Sequence, residues 1–268
     1  MIWGAIAGDI IGSAFEHKVK GRLVKNFTDK SIPLFSDDSR YTDDTVLTIA
    51  VCEIILNGSN PYLTFHRYFN HDSDIGYGKT FFQWAYHQKT EPYGSYGNGS
   101  AMRSSPCAYI SDDLKECLQK AQDIASITHN HPEGIKGALA VTHAIWLARK
   151  GFSKNEIKET IENEYKYNLS KTLKQIRPDY KFDSSCQGSV PQSIISFLEA
   201  NDFEEAIRNA ISLDGDTDTM ACISGAIAEA YYGGVTENIK DFCYDLLEQD
   251  EPHKGYLEVI ESFCDYYQ

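Results

Sequence analysis

The chain has 268 residues, 42% of them hydrophobic and 24% charged, which is enough apolar material for a sizeable core and argues against disorder. Its formal net charge is −14, from 39 acidic and 25 basic residues. No Lys/Arg cluster is dense enough to suit a reader of nucleic-acid backbone, which the charge balance argues against, and an anionic ligand would need local help from metal ions or helix N-termini.

The N-terminal stretch "MIWGAIAGDIIGSAFE" has no basic leader, and Asp9 interrupts its apolar run, which argues against a signal peptide. No segment approaches the ~20 apolar residues of a membrane helix. Seven cysteines, none in a C-x-x-C pair, read as scattered reduced thiols. A soluble, cytoplasmic protein is expected.

In chain order, the first helix carries Gly4, Gly8 and Gly12 on one face, with Glu16 at its end. Helix-interior glycine costs about 0.5–1 kcal/mol relative to alanine, so three on one face imply close backbone packing. "VLTIAVCEIILNG" predicts an apolar helix stopped at Asn57-Gly58. "NPYLTFHRYF" opens with Asn60 as N-cap and Pro61 at the first helical position. "SDDLKECLQKAQDIASI" aligns Leu114, Leu118, Ala121 and Ala125. A long small-residue helix from His131 ends at Gly151, and Ser153 and Glu156 form the capping box of the next. Helices are also expected over "VPQSIISFLEAN", "DFEEAIRNAISL", "TMACISGAIAEAYYGG" and "YLEVIESFCDYY". Period-2 strands are absent. The expectation is an all-α fold: one domain over residues 1–268, a multi-helix orthogonal bundle. Segments 17–40, 88–100 and 177–189 break the helical rhythm and read as functional loops.

Two helix starts carry unusual charge. "YTDDT" places Thr42, Asp43, Asp44 and Thr45 before one apolar helix, and "DGDTDT" places Asp214, Asp216, Thr217, Asp218 and Thr219 before another. Either set alone reads as capping, which stabilises a helix by ~0.5–2 kcal/mol. Two acidic entrances in one core repel strongly at low dielectric, and divalent cations remove the conflict; oxygen ligands of this kind suit Mg²⁺ or Mn²⁺. A calcium loop is excluded, because counting from Asp214 the sixth position is Thr219 and the twelfth is Gly225. Glycines at 94, 97 and 99 let backbone approach a ligand just before a helix start near Ser100, a seat for phosphate or a sugar oxygen, with Tyr93 and Tyr96 available to stack on a base. His129 and His131 lack a third zinc ligand at suitable spacing and read as loop-capping or ligand contacts.

Together, Gly8-Asp9-x-x-Gly12-x-x-x-Glu16, T-D-D-T at 42–45, Y-G-N-G-x-x-M-R at 96–103, T-H at 128–129 and G-D-T-D-T at 215–219 resemble the ADP-ribosylglycohydrolase family. That family includes dinitrogenase-reductase-activating glycohydrolases and animal ADP-ribosyl-acceptor hydrolases. The motifs keep the family's order and span residues 4 to about 233. The resemblance implies an all-helical fold with a binuclear Mg²⁺ or Mn²⁺ centre at helix N-termini. Its ligands would be Thr42, Asp43, Asp44, Asp216, Asp218 and Thr219. Glu16, Asp43 and Asp44 would serve proton transfer, and Gly94, Ser95, Tyr96, Gly97, Asn98 and His129 would bind substrate. The implied reaction cleaves the bond between ADP-ribose and an acceptor, a protein arginine or serine side chain or a small ADP-ribosyl compound. A silent ADP-ribose binder and a metal-dependent phosphohydrolase are the alternatives. The sequence departs from the family at Asp214, where glycine is usual.

Overall fold

A computed structural model of the chain describes residues 1–16, 24–249 and 254–267. Its helices are α1 (Trp3–Ser13), α2 (Asp43–Asn57), α3 (Pro61–His71), α4 (Lys79–Tyr86), α5 (Gly99–Met102), α6 (Leu114–Ser126) and α7 (Pro132–Arg149). They continue as α8 (Lys154–Tyr165), α9 (Leu173–Ile176), α10 (Cys186–Leu198), α11 (Phe203–Ile211), α12 (Thr217–Tyr232), α13 (Glu237–Glu248) and α14 (Lys254–Tyr266). The fold is all-α. Among the described residues the one β-type pairing is an isolated antiparallel bridge between Gly97 and Ser185.

Local chemistry sets most boundaries. The Asn60 side chain accepts from Leu63 N at 3.2 Å, with Pro61 beginning α3. Both halves of the Ser153–Glu156 capping box are formed at α8. α2 ends at Gly58, whose φ of +60° few side chains tolerate. Three helices, α4, α9 and α13, lie where the sequence reading placed none. α1 stops at Ser13, one turn before Glu16, as Phe15 turns to pack its ring 4.2 Å from that of Phe27. Of the three expected loops, residues 17–23 lie outside the described residues, and the third ends at Ser185, the N-cap of α10.

The centre of the molecule is the antiparallel pair α1 and α12. Every residue of α1 is buried, and its glycine face lies directly on the α12 backbone. A Cβ on Gly4 would stand 2.4 Å from the Gly225 carbonyl oxygen, on Gly8 2.1 Å from that of Ala221, and on Gly12 2.4 Å from that of Thr217. Reciprocally, a Cβ on Gly225 would meet Gly4 O at 2.2 Å. Residues 4–8 ("GAIAG") and 225–229 ("GAIAE"), similar in their small-residue composition, therefore face each other across one helix pair. The Glu229 carboxylate closes the far end by accepting from Gly4 N at 2.8 Å. This spacing has a functional consequence: it carries Asp9, mid-way along α1, to the N-terminal end of α12. No helix among the described residues is long and apolar enough to cross a membrane, and the seven cysteines are unpaired thiols.

Candidate active site

α2 and α12 begin side by side, and Asp9 lies between their starts. Carboxylate oxygens of Asp9, Asp44 and Asp218, all three residues buried, lie within 4.8 Å of one another. Asp9 is saturated with hydrogen bonds from the α2 entrance. Its Oδ2 accepts from Thr42 N (2.8 Å), Thr45 N (3.1 Å) and Thr45 Oγ1 (2.6 Å), and its Oδ1 accepts from Thr42 Oγ1 (2.7 Å). A carboxylate from another helix thus satisfies the N–H groups that open α2, and Thr42 adds a cap of its own by accepting from Asp44 N at 3.3 Å.

Asp43 and Asp44 themselves cap nothing. Thr42 Oγ1 and Thr219 Oγ1 each lie 3.3 Å from Asp44 Oδ2, while Asp44 Oδ1 is buried with no hydrogen-bond partner among the described residues. At α12 the residue at the N-cap position does not act as a cap. Asp216 makes no side-chain cap bond; its Oδ2 accepts from the Asn98 amide at 2.8 Å instead. Asp218 Oδ1 accepts from Thr219 N at 2.8 Å.

The electrostatics of this arrangement are unfavourable for the chain alone. Burial, then the charge of Asp218, pushes Asp9 up to about 7. Burial, then Asp218 and Asp9, pushes Asp43 up to about 8. Asp44 and Asp216 are held well above the usual carboxylate range for the same reasons. An orphaned buried carboxylate oxygen, flanked by further carboxylates and two threonine hydroxyls, is a donor set suited to a hard divalent cation. The residues fit such a group.

The acid cluster forms one side of a cavity of about 450 Å³. Glu16, Asp43, Asp44, Asp216, Asp218 and Thr219 line it, together with Ser95, Gly97, Asn98 and His129. Glu16 is half-buried, 3.9 Å from the Arg40 guanidinium. Gly94 and Tyr96 do not reach this cavity; they line an adjoining cleft with Tyr93, Ser95 and Thr80, and Tyr96 is 52% exposed. Asp214 is also outside it. It lines a separate groove with Lys25, Tyr180 and Phe182, and its φ of +61° is the left-handed conformation in which glycine is the unstrained choice.

Two parts of the site were not assigned from the sequence. Asp9 was read only as a motif letter, and the signal for it was its place on the glycine-faced helix. The second part is Gly76-Tyr77-Gly78 and the start of α4, Lys79 to Phe81, which also line the cavity. The two close glycines before "KTFFQWAY" were its signal. Gly76 has φ +119°, and a Cβ there would come within 3.4 Å of Asp43 Oδ1.

Comparison with known proteins bears on this arrangement directly. The model of the ADP-ribosylglycohydrolase family matches residues 1–265. The chain belongs to the ADP-ribosylglycohydrolase family. Its class of activity is accordingly that of a glycosidase acting on ADP-ribosyl linkages. ADP-ribosylhydrolase ARH3 of Homo sapiens is 27% identical over 92% of this chain and 89% of its own length. ADP-ribosylarginine hydrolase Tri1 of Pseudomonas putida is 24% identical over 86% of this chain and 69% of its own. A solved structure titled "ADP-ribosylglycohydrolase-related protein complex" shares the fold, with a TM-score of 0.67 at 21% identity, covering 91% of this chain and 93% of that one.

Proposed function

We propose that the protein hydrolyses the glycosidic bond joining the distal ribose of an ADP-ribosyl group to an acceptor, releasing ADP-ribose. Two Mg²⁺ or Mn²⁺ ions would be held by Thr42, Asp43, Asp44, Asp216, Asp218 and Thr219. The observation that carries this reading is the Asp44 carboxylate, buried against Asp9 and Asp218 with one oxygen unpartnered. Once bound, such ions neutralise the cluster, orient ribose hydroxyls and acidify water.

The chain's own groups do the rest. Asp9 fixes the α2 entrance, and Asn98 fixes Asp216. Two glycine-bearing walls, Gly97 to Gly99 and Gly76 to Gly78, let backbone approach a diphosphate, and the α4 start adds the positive end of a helix. Water adds to the anomeric carbon as the glycosidic bond breaks, through an oxocarbenium-like state. Glu16, which lines the cavity outside any helix, takes the proton of that water and returns it to the departing acceptor. Phe182 and Ser184, from the segment before α10, face the same cavity and are placed to discriminate acceptors. The Pseudomonas relative, named an ADP-ribosylarginine hydrolase, supports arginine as one acceptor to test.

The test is ADP-ribose release, read by mass spectrometry, from arginine- and serine-ADP-ribosylated peptides with Mg²⁺, Mn²⁺ or chelator. Metal-dependent release of intact ADP-ribose is expected. AMP as product would replace this reading with a phosphohydrolase, and binding without release would make the protein a silent binder. Glu16→Gln is expected to lose at least about a hundredfold in turnover while keeping ADP-ribose affinity within about tenfold.

A further inference from the structure

Arg103 is fully buried, and its guanidinium lies 4.9 Å from the Phe65 ring, with Nε and Nη1 making no hydrogen bond among the described residues. Burial lowers it only to about 10, so it remains a cation at neutral pH and can only donate. The bond it does make is from Nη2 to Thr128 Oγ1, at 2.6 Å. The same hydroxyl lies 2.8 Å from Nδ1 of the neighbouring His129. A threonine hydroxyl has one proton and two lone pairs. One lone pair is taken by Arg103. That cationic donor makes the hydroxyl itself a stronger donor, and of the acceptors beside it the His129 imidazole nitrogen is stronger than the Tyr93 phenol oxygen. The hydroxyl proton is then directed to Nδ1, which leaves the ring's own proton on Nε2.

Nε2 faces the glycine loop. A Cβ on Gly99 would stand 3.3 Å from it, and one on Gly97 3.6 Å. Both glycines and His129 line the cavity. The loop is tied to the same threonine, because Tyr93 N and Ser95 N both approach Thr128 O at 3.4 Å. His129 is 5% exposed, and burial, then the Arg103 charge, holds it well below the usual imidazole range.

We propose that Arg103 and Thr128 are positioning residues that hold His129 as the neutral tautomer protonated on Nε2, so that it presents a fixed N–H donor to an oxygen of the bound ADP-ribosyl group. The inference rests on the functional reading above for the identity of the ligand, but the tautomer is a property of the protein alone. An N–H donor fixed before binding needs no reorganisation when an acceptor arrives, and it cannot accept a proton from water on that face.

The experiment is a two-bond ¹H–¹⁵N correlation spectrum of the full-length protein at pH 7, with ADP-ribose affinity measured by calorimetry on the same samples. The expected wild-type spectrum has a protonated Nε2 and an unprotonated Nδ1 for His129. Thr128→Val should give a mixture of tautomers and about five- to tenfold weaker ADP-ribose binding, and Thr128→Ser should restore both. A wild-type His129 protonated on Nδ1 overturns the proposal, whatever the variants do. So does a folded Thr128→Val protein with unchanged tautomer and affinity. If Thr128→Val does not fold, the wild-type spectrum decides. An Nε2-protonated His129 in a protein that does not bind ADP-ribose would leave the relay standing and remove the functional reading instead.

Discussion

The two acidic helix entrances are chemically alike and structurally unlike. At α2 the protein supplies its own solution: Asp9 accepts the N–H groups of Thr42 and Thr45, and Thr42 caps Asp44. At α12 the N-cap residue Asp216 makes no cap bond and is held instead by the amide of Asn98, a residue of the glycine loop, while Asp218 takes the Thr219 N–H from within the helix. One entrance is braced from the core of the fold by α1. The other is braced from the wall against which a ligand would lie. The difference teaches that acidic residues at a helix start are not one device. Here α2 provides a rigid platform, whereas the geometry of α12's carboxylates is tied to that of the ligand loop.

The largest expected effect comes from removing a carboxylate that both entrances share a space with. Asp218→Asn and Asp43→Asn should each abolish turnover and metal binding together. Asp218 is the charge that acts most strongly on Asp9, Asp43, Asp44 and Asp216. Its neutralisation should therefore stabilise the metal-free protein, by about 1–2 kcal/mol at pH 8. Thermal unfolding in chelator and activity in saturating Mg²⁺ read the two arms. A double-digit percentage of wild-type activity in either variant would remove that residue from the ligand set.

Asp9 separates brace from ligand. Asp9→Ala leaves the Thr42 and Thr45 N–H groups without their acceptor and should cost roughly 2–4 kcal/mol in urea unfolding. In Asp9→Asn the amide oxygen can take over the three bonds to Oδ2 while Thr42 Oγ1 turns to accept from the new NH₂, so a loss under about 1 kcal/mol is expected. Measurable activity should remain. If Asp9→Asn is as inactive as Asp218→Asn, Asp9 coordinates metal directly and the distinction between the entrances collapses.

How far the sequence carried depends on the range of the interaction. Caps act within four residues, so Asn60 and the Ser153–Glu156 box could be read as letters, and so could both acidic starts. The three glycines announced close packing, but their partner, the carbonyls of Thr217, Ala221 and Gly225, is more than 200 positions away. Without that pairing, the place of Asp9 between the two entrances has no local signature. Glu16 was expected at a helix end, yet α1 stops at Ser13 because Phe15 finds Phe27, a tertiary contact. The Gly76–Phe81 wall stayed hidden because nothing in a short G-x-G says which cavity it borders. Arg103 and His129 stand 26 positions apart, and only the fold places Thr128 between them.

Asn98 is the smaller lever. Asn98→Ala removes the amide from Asp216 and Ser189 without touching α2, so turnover should drop about 10- to 100-fold with stability within about 1 kcal/mol. The metal requirement should rise with it, measured as the Mg²⁺ concentration for half-maximal rate. Unchanged Mg²⁺ dependence would mean that α12 holds its carboxylates without help from the glycine loop, as α2 does.

The mildest test needs no substitution. Asp9 and Asp43 have folded-state values of about 7 and about 8 against an ordinary 3.8, so the folded protein binds protons that the unfolded chain releases. Their contribution is present in full below about pH 4 and is lost as pH rises through 7 and 8. Metal-free protein should therefore lose stability between about pH 4 and pH 8, by roughly 1.4 kcal/mol per pH unit for each of the two carboxyls until its folded-state value is passed. Saturating Mg²⁺ should flatten or reverse that slope, because the ion binds only the deprotonated cluster and stabilises the folded state by mass action. Urea midpoints across this range, with chelator and with Mg²⁺, give the comparison. Parallel slopes would mean that the repulsion is relieved within the chain itself, and the case for a cation at these two helix starts would lose its electrostatic ground.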